Sequence, residues 1–210
     1  MIRMARSDEH ALVGELRVAA YRAGGVLSES TDYAETLRGF GFDGDCAVLV
    51  AEDGSGRLVG TVTLEPFGPD SELARDEAEA DIRAFAVDAR AQGQGVGRQL
   101  LRAVMEHAAR RGVRRLRLCT LPAMAAAQHL YAATGFTRTP DLDFEPAPGV
   151  ALRAYELDLP AGALPPACAR RRLRAYELDP PPACMPGGPG IPRSMPSLPR
   201  RMPGRPRSMP

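Results

Sequence analysis

The chain has 210 residues, 25% of them charged, and a formal net charge of +1, which suits one globular domain and excludes a polyelectrolyte character for the whole. Its four cysteines show no C-x-x-C spacing and only three histidines accompany them, so neither a metal centre nor a disulfide framework is expected. No apolar run reaches the ~18–20 residues that span a bilayer and no signal-like segment opens the chain, so a soluble, cytoplasmic protein without membrane partners is expected.

In chain order, residues 1–5 predict a short strand. Ser7 or Asp8 then caps a helix whose apolar positions are Leu12, Val13, Leu16, Ala19 and Ala20, ending near Gly24-Gly25. A second helix is predicted over residues 31–38, with Gly39 as its stop, and Tyr21, Tyr33 and Phe40 are its neighbouring aromatics. Two β-branched runs, 46–51 and 58–64, flank an Asp-Gly turn and read as an antiparallel hairpin. Residues 66–79 are acidic and begin with proline, the pattern of a solvated loop. The next strand runs from Asp81 to Val87.

That strand breaks at Gln92-Gly93-Gln94-Gly95-Val96-Gly97 and passes into an amphipathic helix with Val96, Leu100, Leu101, Val104 and Ala108 on its packed side. Glycines before a helix start let the backbone approach an anion, and the helix dipole favours negative charge at the same point. Charge-assisted hydrogen bonds of this kind contribute about 1.5–3 kcal/mol each. A P-loop is excluded because the chain contains no lysine, and a dinucleotide fingerprint starting at Gly93 fails at Arg98. What remains, Gln/Arg-x-x-Gly-x-Gly/Ala after a strand, resembles the acetyl-CoA pyrophosphate loop of the GNAT N-acetyltransferase superfamily.

After Gly112, residues 113–119 predict a strand parallel to the central one, with Leu116 and Leu118 on one face and Arg115 and Arg117 on the other. A helix over 123–134 follows, closed by Gly135. Within it Ala127-Gln128-His129-Leu130-Tyr131, continuing to Gly135-Phe136, is similar to the superfamily's A-x-x-L-Y-x-x-x-G-F signature, and the resemblance covers residues 1–159. It implies an α/β (α+β) fold: a mixed, mostly antiparallel central sheet flanked by helices, with a central parallel strand pair splayed for CoA. It also implies N-acetyl transfer from acetyl-CoA as cosubstrate to the primary amine of a small molecule or protein. The first helical region forms one wall of the acceptor pocket in this family.

The resemblance assigns site residues one by one. The tyrosine matching Tyr131 protonates the departing thiolate. Backbone groups of Phe85, Ala86 and Val87 position the thioester, and Gln92, Gly93, Gln94, Gly95, Val96, Gly97 and Arg98 form the pyrophosphate cradle. A carboxylate near the start of the central strand acts through water, which nominates Asp81 and Glu79; a surface acid or a salt-bridge partner for Arg83 is the competing reading of either. Met124 stands where the family often carries a cofactor-contacting asparagine. Cys119 reads as a small buried apolar residue, and His107 and His129 as exposed.

Residues 150–159 predict a closing strand behind a loop carrying Asp141, Asp143 and Glu145. Beyond it residues 160–210 hold 14 of the 20 prolines and 9 arginines against 2 acidic residues, a composition that cannot bury a core. This tail repeats Leu152-Arg153-Ala154-Tyr155-Glu156-Leu157-Asp158 as Leu173-Arg174-Ala175-Tyr176-Glu177-Leu178-Asp179, read as a local duplication. Nucleic acid is not expected as a partner, and a homodimer stays open. Two rival readings also stay open: a CoA-binding module without catalysis, and a phosphate- or nucleic-acid-binding protein.

Overall fold

A computed structural model describes residues 1–27, 33–69 and 71–160. The tail, its duplicated segment, and the expected start of the second helix at residue 31 lie outside the described residues.

The order along the chain is β1 (Ile2–Met4), α1 (His10–Ala23), α2 (Tyr33–Gly39), β2 (Ala47–Glu52), β3 (Leu58–Pro66), β4 (Glu79–Val87), α3 (Val96–Arg110), β5 (Arg115–Thr120), α4 (Ala125–Ala133), β6 (Thr137–Arg138) and β7 (Arg153–Asp158). Among the described residues the strands form one sheet in the order β1-β2-β3-β4-β5-β7-β6. Every adjacent pair is antiparallel except β4 and β5, which α3 connects in parallel. The mixed, mostly antiparallel sheet implied by the sequence is therefore the one that forms.

Packing on the sheet explains the apolar periodicities. Leu100, Leu101, Val104, Met105 and Ala108 of α3 are buried with Val62, Leu64, Ile82, Leu116 and Leu118 of the sheet, each large side chain contributing about 1.5–3 kcal/mol. A separate cluster sets Val13 of α1 on Val48 and Val50, and Val18 packs with Leu27, Ala34 and Leu37. Helices α1 and α2 meet where Gly14 leaves no room for a side chain: a Cβ there would come within 2.8 Å of the Arg38 carbonyl oxygen.

Several local expectations are corrected. The buried stripe of α1 is Val13, Gly14, Arg17 and Val18, while Leu12 is 63% exposed. Arg17 is fully buried because its guanidinium donates to the Leu37 and Phe40 carbonyls and to Thr63 Oγ1, and burial pulls its pKa down to about 10. Neither Ser7 nor Asp8 caps the helix. A 3-10 turn, Ser7–Glu9, precedes it, and the Glu9 carboxylate accepts from the Arg6 N–H and from Arg3.

The acidic segment before β4 is docked and not wholly solvated: Leu73 and Ala74 are each 2% exposed. It covers the sheet face on which Arg117 stands, so Arg117 is buried and donates to the Leu73 carbonyl. His107 is also not exposed, since both its ring nitrogens are buried, without a hydrogen-bond partner among the described residues. Asp143 clips the closing strand by accepting from Arg138 and from the Ala154 N–H.

Candidate functional site

The parallel ladder between β4 and β5 is short. It pairs Glu79, Ala80 and Asp81 with Arg115, Leu116 and Arg117 and goes no further. Beyond it β4 keeps its other edge on β3, but the register shifts between Thr61 and Thr63, and Ala84 adopts φ +47. A bulge of this kind bends the strand and re-aims its side chains. Meanwhile β5 continues along β7 as far as Thr120. The two central strands therefore part after Asp81 and Arg117, leaving a gap edged by β4 residues that include Phe85, Ala86 and Val87.

At the far end of β4 lies the glycine loop. Asp88 opens a 3-10 turn, Ala89–Ala91, by accepting from the Arg90 N–H. Gly95 is the N-cap of α3 at φ +82, and no side chain caps the helix. The loop turns again at Gly93, φ +74, and a Cβ on either glycine would meet nothing within 4 Å. Gln92 Nε2 donates to the Val87 carbonyl and Gln94 Nε2 to the Arg90 carbonyl. Both amides thus stiffen the loop, and the uncapped first turn of α3 offers its backbone N–H groups outward. Val96 is half-buried and Arg98 is exposed. Gly97 faces α4, where a Cβ would lie 3.2 Å from Leu130 Cδ2. These features fit a diphosphate: open space, positive-φ glycines and an uncapped helix start in one place.

Side chains from several segments gather around the gap nearer the ladder. Tyr131 of α4 is 5% exposed and packs its ring against Phe85, Phe136 and Tyr155 at centroid distances of 6.4, 6.0 and 5.8 Å. Burial first, and then Cys119 and Tyr155, push its hydroxyl well above the ordinary tyrosine range, so it keeps its proton. Cys119 of β5 is half-buried and its thiol is likewise pushed up, chiefly by burial and then by Glu72. Tyr21 of α1 also titrates upward, through burial, Tyr33, Tyr131 and Cys119 in turn. The structure therefore brings Tyr21 and Tyr131, widely separated in sequence, into one electrostatic neighbourhood with Cys119.

Of the aromatics of the first helical region, Tyr21 and Tyr33 have ring centroids 6.5 Å apart, and the Arg83 guanidinium carbon sits 4.6 Å from the Phe40 ring centroid. Tyr33, Phe40 and Arg83 line a small hollow beside Ala84. Arg83 bridges two carboxylates, Glu65 at 2.8 Å and Glu72 at 2.7 Å. The other oxygen of Glu72 is 3.6 Å from the Cys119 sulfur.

Asp81 and Glu79 stand at the paired end of the strands, away from the glycine loop. Asp81 is fully buried, and its two oxygens accept from the Leu73 and Ala74 N–H groups at 2.9 Å each. Burial pushes its carboxyl up against the pull of those bonds and of Arg83. Glu79 accepts from the Arg75 N–H at 2.7 Å and from Arg117 at 2.7 Å, with Arg115 at 3.6 Å. Both carboxylates anchor the segment before β4. His129 is exposed, in agreement with its helical offset from Tyr131. Met124 precedes α4, and its sulfur lies 3.5 Å from the Thr120 hydroxyl.

The sequence reading passed over Glu72, one of several acids in an acidic run, because only the fold sets it beside Cys119. A cleft of about 510 Å³ opens on the other flank of the glycine loop, lined by residues that include Arg57, Arg90 and Gln94. Tyr131, Cys119 and Glu72 do not line it, and the converging side chains mark the chemistry better than that hollow does.

Comparison with known proteins gives the same direction. The acetyltransferase (GNAT) family matches residues 13–136. A mycothiol acetyltransferase from Beutenbergia cavernae is 34% identical over 96 residues, which make up 46% of this chain and 30% of that protein. The match thus spans less than a third of the relative's length. Among solved structures, an acetyltransferase of the GNAT family from Staphylococcus aureus superposes with TM-score 0.62 at 17% identity, covering 76% of this chain and 99% of that one. A ribosomal-protein-alanine N-acetyltransferase from Brucella melitensis superposes with TM-score 0.58 at 24% identity, covering 76% and 99%. At these identities the likeness is one of fold. The family match itself spans more than half of the residues, from α1 to the Gly135-Phe136 turn, and by it the chain belongs to the acetyltransferase (GNAT) family.

Proposed function

We propose that this protein transfers an acetyl group from acetyl-CoA to a primary amine of a small molecule or protein. The observation that carries the reading is the gap between β4 and β5, with the glycine cradle at one end and Tyr131 beside it. A diphosphate on the cradle would send the rest of the cosubstrate along the exposed edge of β4, where extended chains pair with backbone groups. Backbone N–H groups of the Phe85, Ala86 and Val87 stretch that face the gap would polarise a thioester carbonyl there.

An amine attacks that carbon only through a free lone pair, so the ammonium first loses a proton. The C–N bond then forms, the C–S bond breaks, and the thiolate takes a proton from Tyr131, whose raised pKa keeps it a donor at neutral pH. The acceptor rests on loops that the family motifs do not fix. The mycothiol acetyltransferase likeness supports acetyl transfer and leaves the acceptor open. Among the described residues no helix is long and apolar enough to cross a membrane.

The test is calorimetric titration of the full chain with acetyl-CoA, with ATP and NAD as controls, followed by an amine panel read by thiol release. Saturable binding of acetyl-CoA alone and amine-dependent thiol release are expected. A folded protein that binds no acetyl-CoA would remove the reading.

A further inference from the structure

We propose that Glu72, in the segment before β4, takes the proton from the acceptor amine, in place of Asp81 or Glu79; this rests on the acyl-transfer reading above. The argument begins with register. Asp81 and Arg117 form the last rung of the parallel ladder, and side chains two residues on share a face in a strand. Arg83 and Cys119 are therefore the first side chains on that face where the strands have parted. Glu72 reaches both of them, with Arg83 at 2.7 Å on Oε1 and the Cys119 sulfur at 3.6 Å on Oε2.

Burial and coordination then separate Glu72 from the other acids. Asp81 has both oxygens on backbone N–H groups and no exposure. Glu79 has its oxygens on Arg115, Arg117 and the Arg75 N–H. The Glu72 side chain keeps 29% of its surface exposed. One of its oxygens is held by a charge-assisted bond, and among the described residues the other meets a thiol, a weak donor that a stronger N–H donor displaces.

Among the described residues, the charged or titratable groups that face Glu72 from the surrounding elements are Arg83 and Asp81 of β4, Glu65 of β3, Cys119 of β5 and Tyr33 of α2. Arg83 holds the carboxylate in place. Cys119 keeps its proton and so does not compete as acceptor. Cys119 also acts electrostatically on Tyr131, so the thiol that Glu72 touches is a neighbour of the proton donor as well.

The protons balance across the reaction. The ammonium N–H bond breaks toward Glu72 Oε2, and the freed lone pair forms the C–N bond with the acetyl carbon. As the C–S bond breaks, Tyr131 gives its proton to the thiolate sulfur. The second proton leaves the nitrogen as the amide forms and returns to Tyr131, while Glu72 releases the first to solvent. One ammonium and one thioester give one amide, one thiol and one proton.

The experiment compares full-length wild type, Glu72→Gln and Glu72→Asp with the amine that releases thiol fastest in the panel. For Glu72→Gln, kcat/KM for the amine falls about 100-fold or more at pH 7. The deficit shrinks as the pH rises toward the amine's own pKa, where free amine needs no acceptor. Acetyl-CoA affinity by calorimetry stays within about twofold of wild type, a readout that a structural loss would move, and Glu72→Asp regains part of the rate. A wild-type rate and pH profile in Glu72→Gln overturns the proposal. So does an equal loss of rate at every pH together with lost acetyl-CoA binding. Absence of acetyl-CoA binding in wild type overturns the acyl-transfer reading and this proposal with it, and is told apart by the wild-type titration alone.

Discussion

Arg117 Nη1 lies 2.7 Å from Glu79 Oε2, with each side chain 8% exposed. The pair joins β5 to the start of β4 just before the strands part, and Arg117 also donates to the Leu73 carbonyl. Removing one partner leaves the other charge buried, which costs about 3–5 kcal/mol, whereas removing both costs far less. Arg117→Met is therefore expected to lose that much stability in urea unfolding, and Arg117→Met combined with Glu79→Gln to recover most of it. Loss of under about 1 kcal/mol in the single variant would show that the pair does not hold this end of the ladder.

Gly95 tests the cradle. At φ +82 any L side chain is strained by about 1–2 kcal/mol, and the added methyl points into open space where a diphosphate would lie. Gly95→Ala is expected to weaken acetyl-CoA binding about tenfold or more in calorimetry, beyond a modest drop in melting temperature. Gly54, in the β2–β3 turn, has no positive φ and open space around it, so Gly54→Ala serves as the neutral control. Equal affinities for both variants would place the ligand elsewhere.

Tyr131→Phe separates binding from chemistry. The ring contacts with Phe85, Phe136 and Tyr155 survive the change, so stability is expected to move by no more than about 1 kcal/mol. Loss of the proton donor is expected to lower kcat about 100-fold with acetyl-CoA affinity unchanged. Since burial raises the hydroxyl pKa, no loss of activity near pH 8 arises from Tyr131 ionising. A Phe variant with full turnover would assign the donor role to another group.

His107 carries a pH signature in stability. Burial first, then Arg111 and Arg110, hold its pKa down to about 4 in the folded protein, against about 6.5 in an unfolded chain. As pH falls, the unfolded state binds the proton first, so this contribution is present above about 6.5 and is lost as the pH approaches about 4. The imidazole is only half-buried, and with that screening the loss is about 1–2 kcal/mol. Urea midpoints for wild type are expected to drop between pH 7 and pH 5 more than those of His107→Leu. Parallel slopes would mean that His107 is accessible in the native state.

How much of this was legible in the sequence depends on how far apart the cooperating residues lie. The chain alone determined the glycine loop, its helix, the hairpin and the A-x-x-L-Y run. Backbone φ at Gly93 and Gly95, the 3.6-residue stripe of α3 and the Asp-Gly turn are each set within a few neighbouring residues. Tertiary structure decided everything that needed two distant segments on one face. Nothing local marks Arg17 or Arg117 as buried; the Leu37 and Phe40 carbonyls and the segment before β4 make them so. Asp81 and Glu79 matched the expected place of a relay carboxylate, but that same segment occupies them. Glu72 had no local mark, because its meaning comes from a bulge in β4 that parts two strands and sets a loop carboxylate against Cys119. Short-range patterns encode backbone form, whereas the chemistry of a site is a matter of long-range juxtaposition, which no local period records.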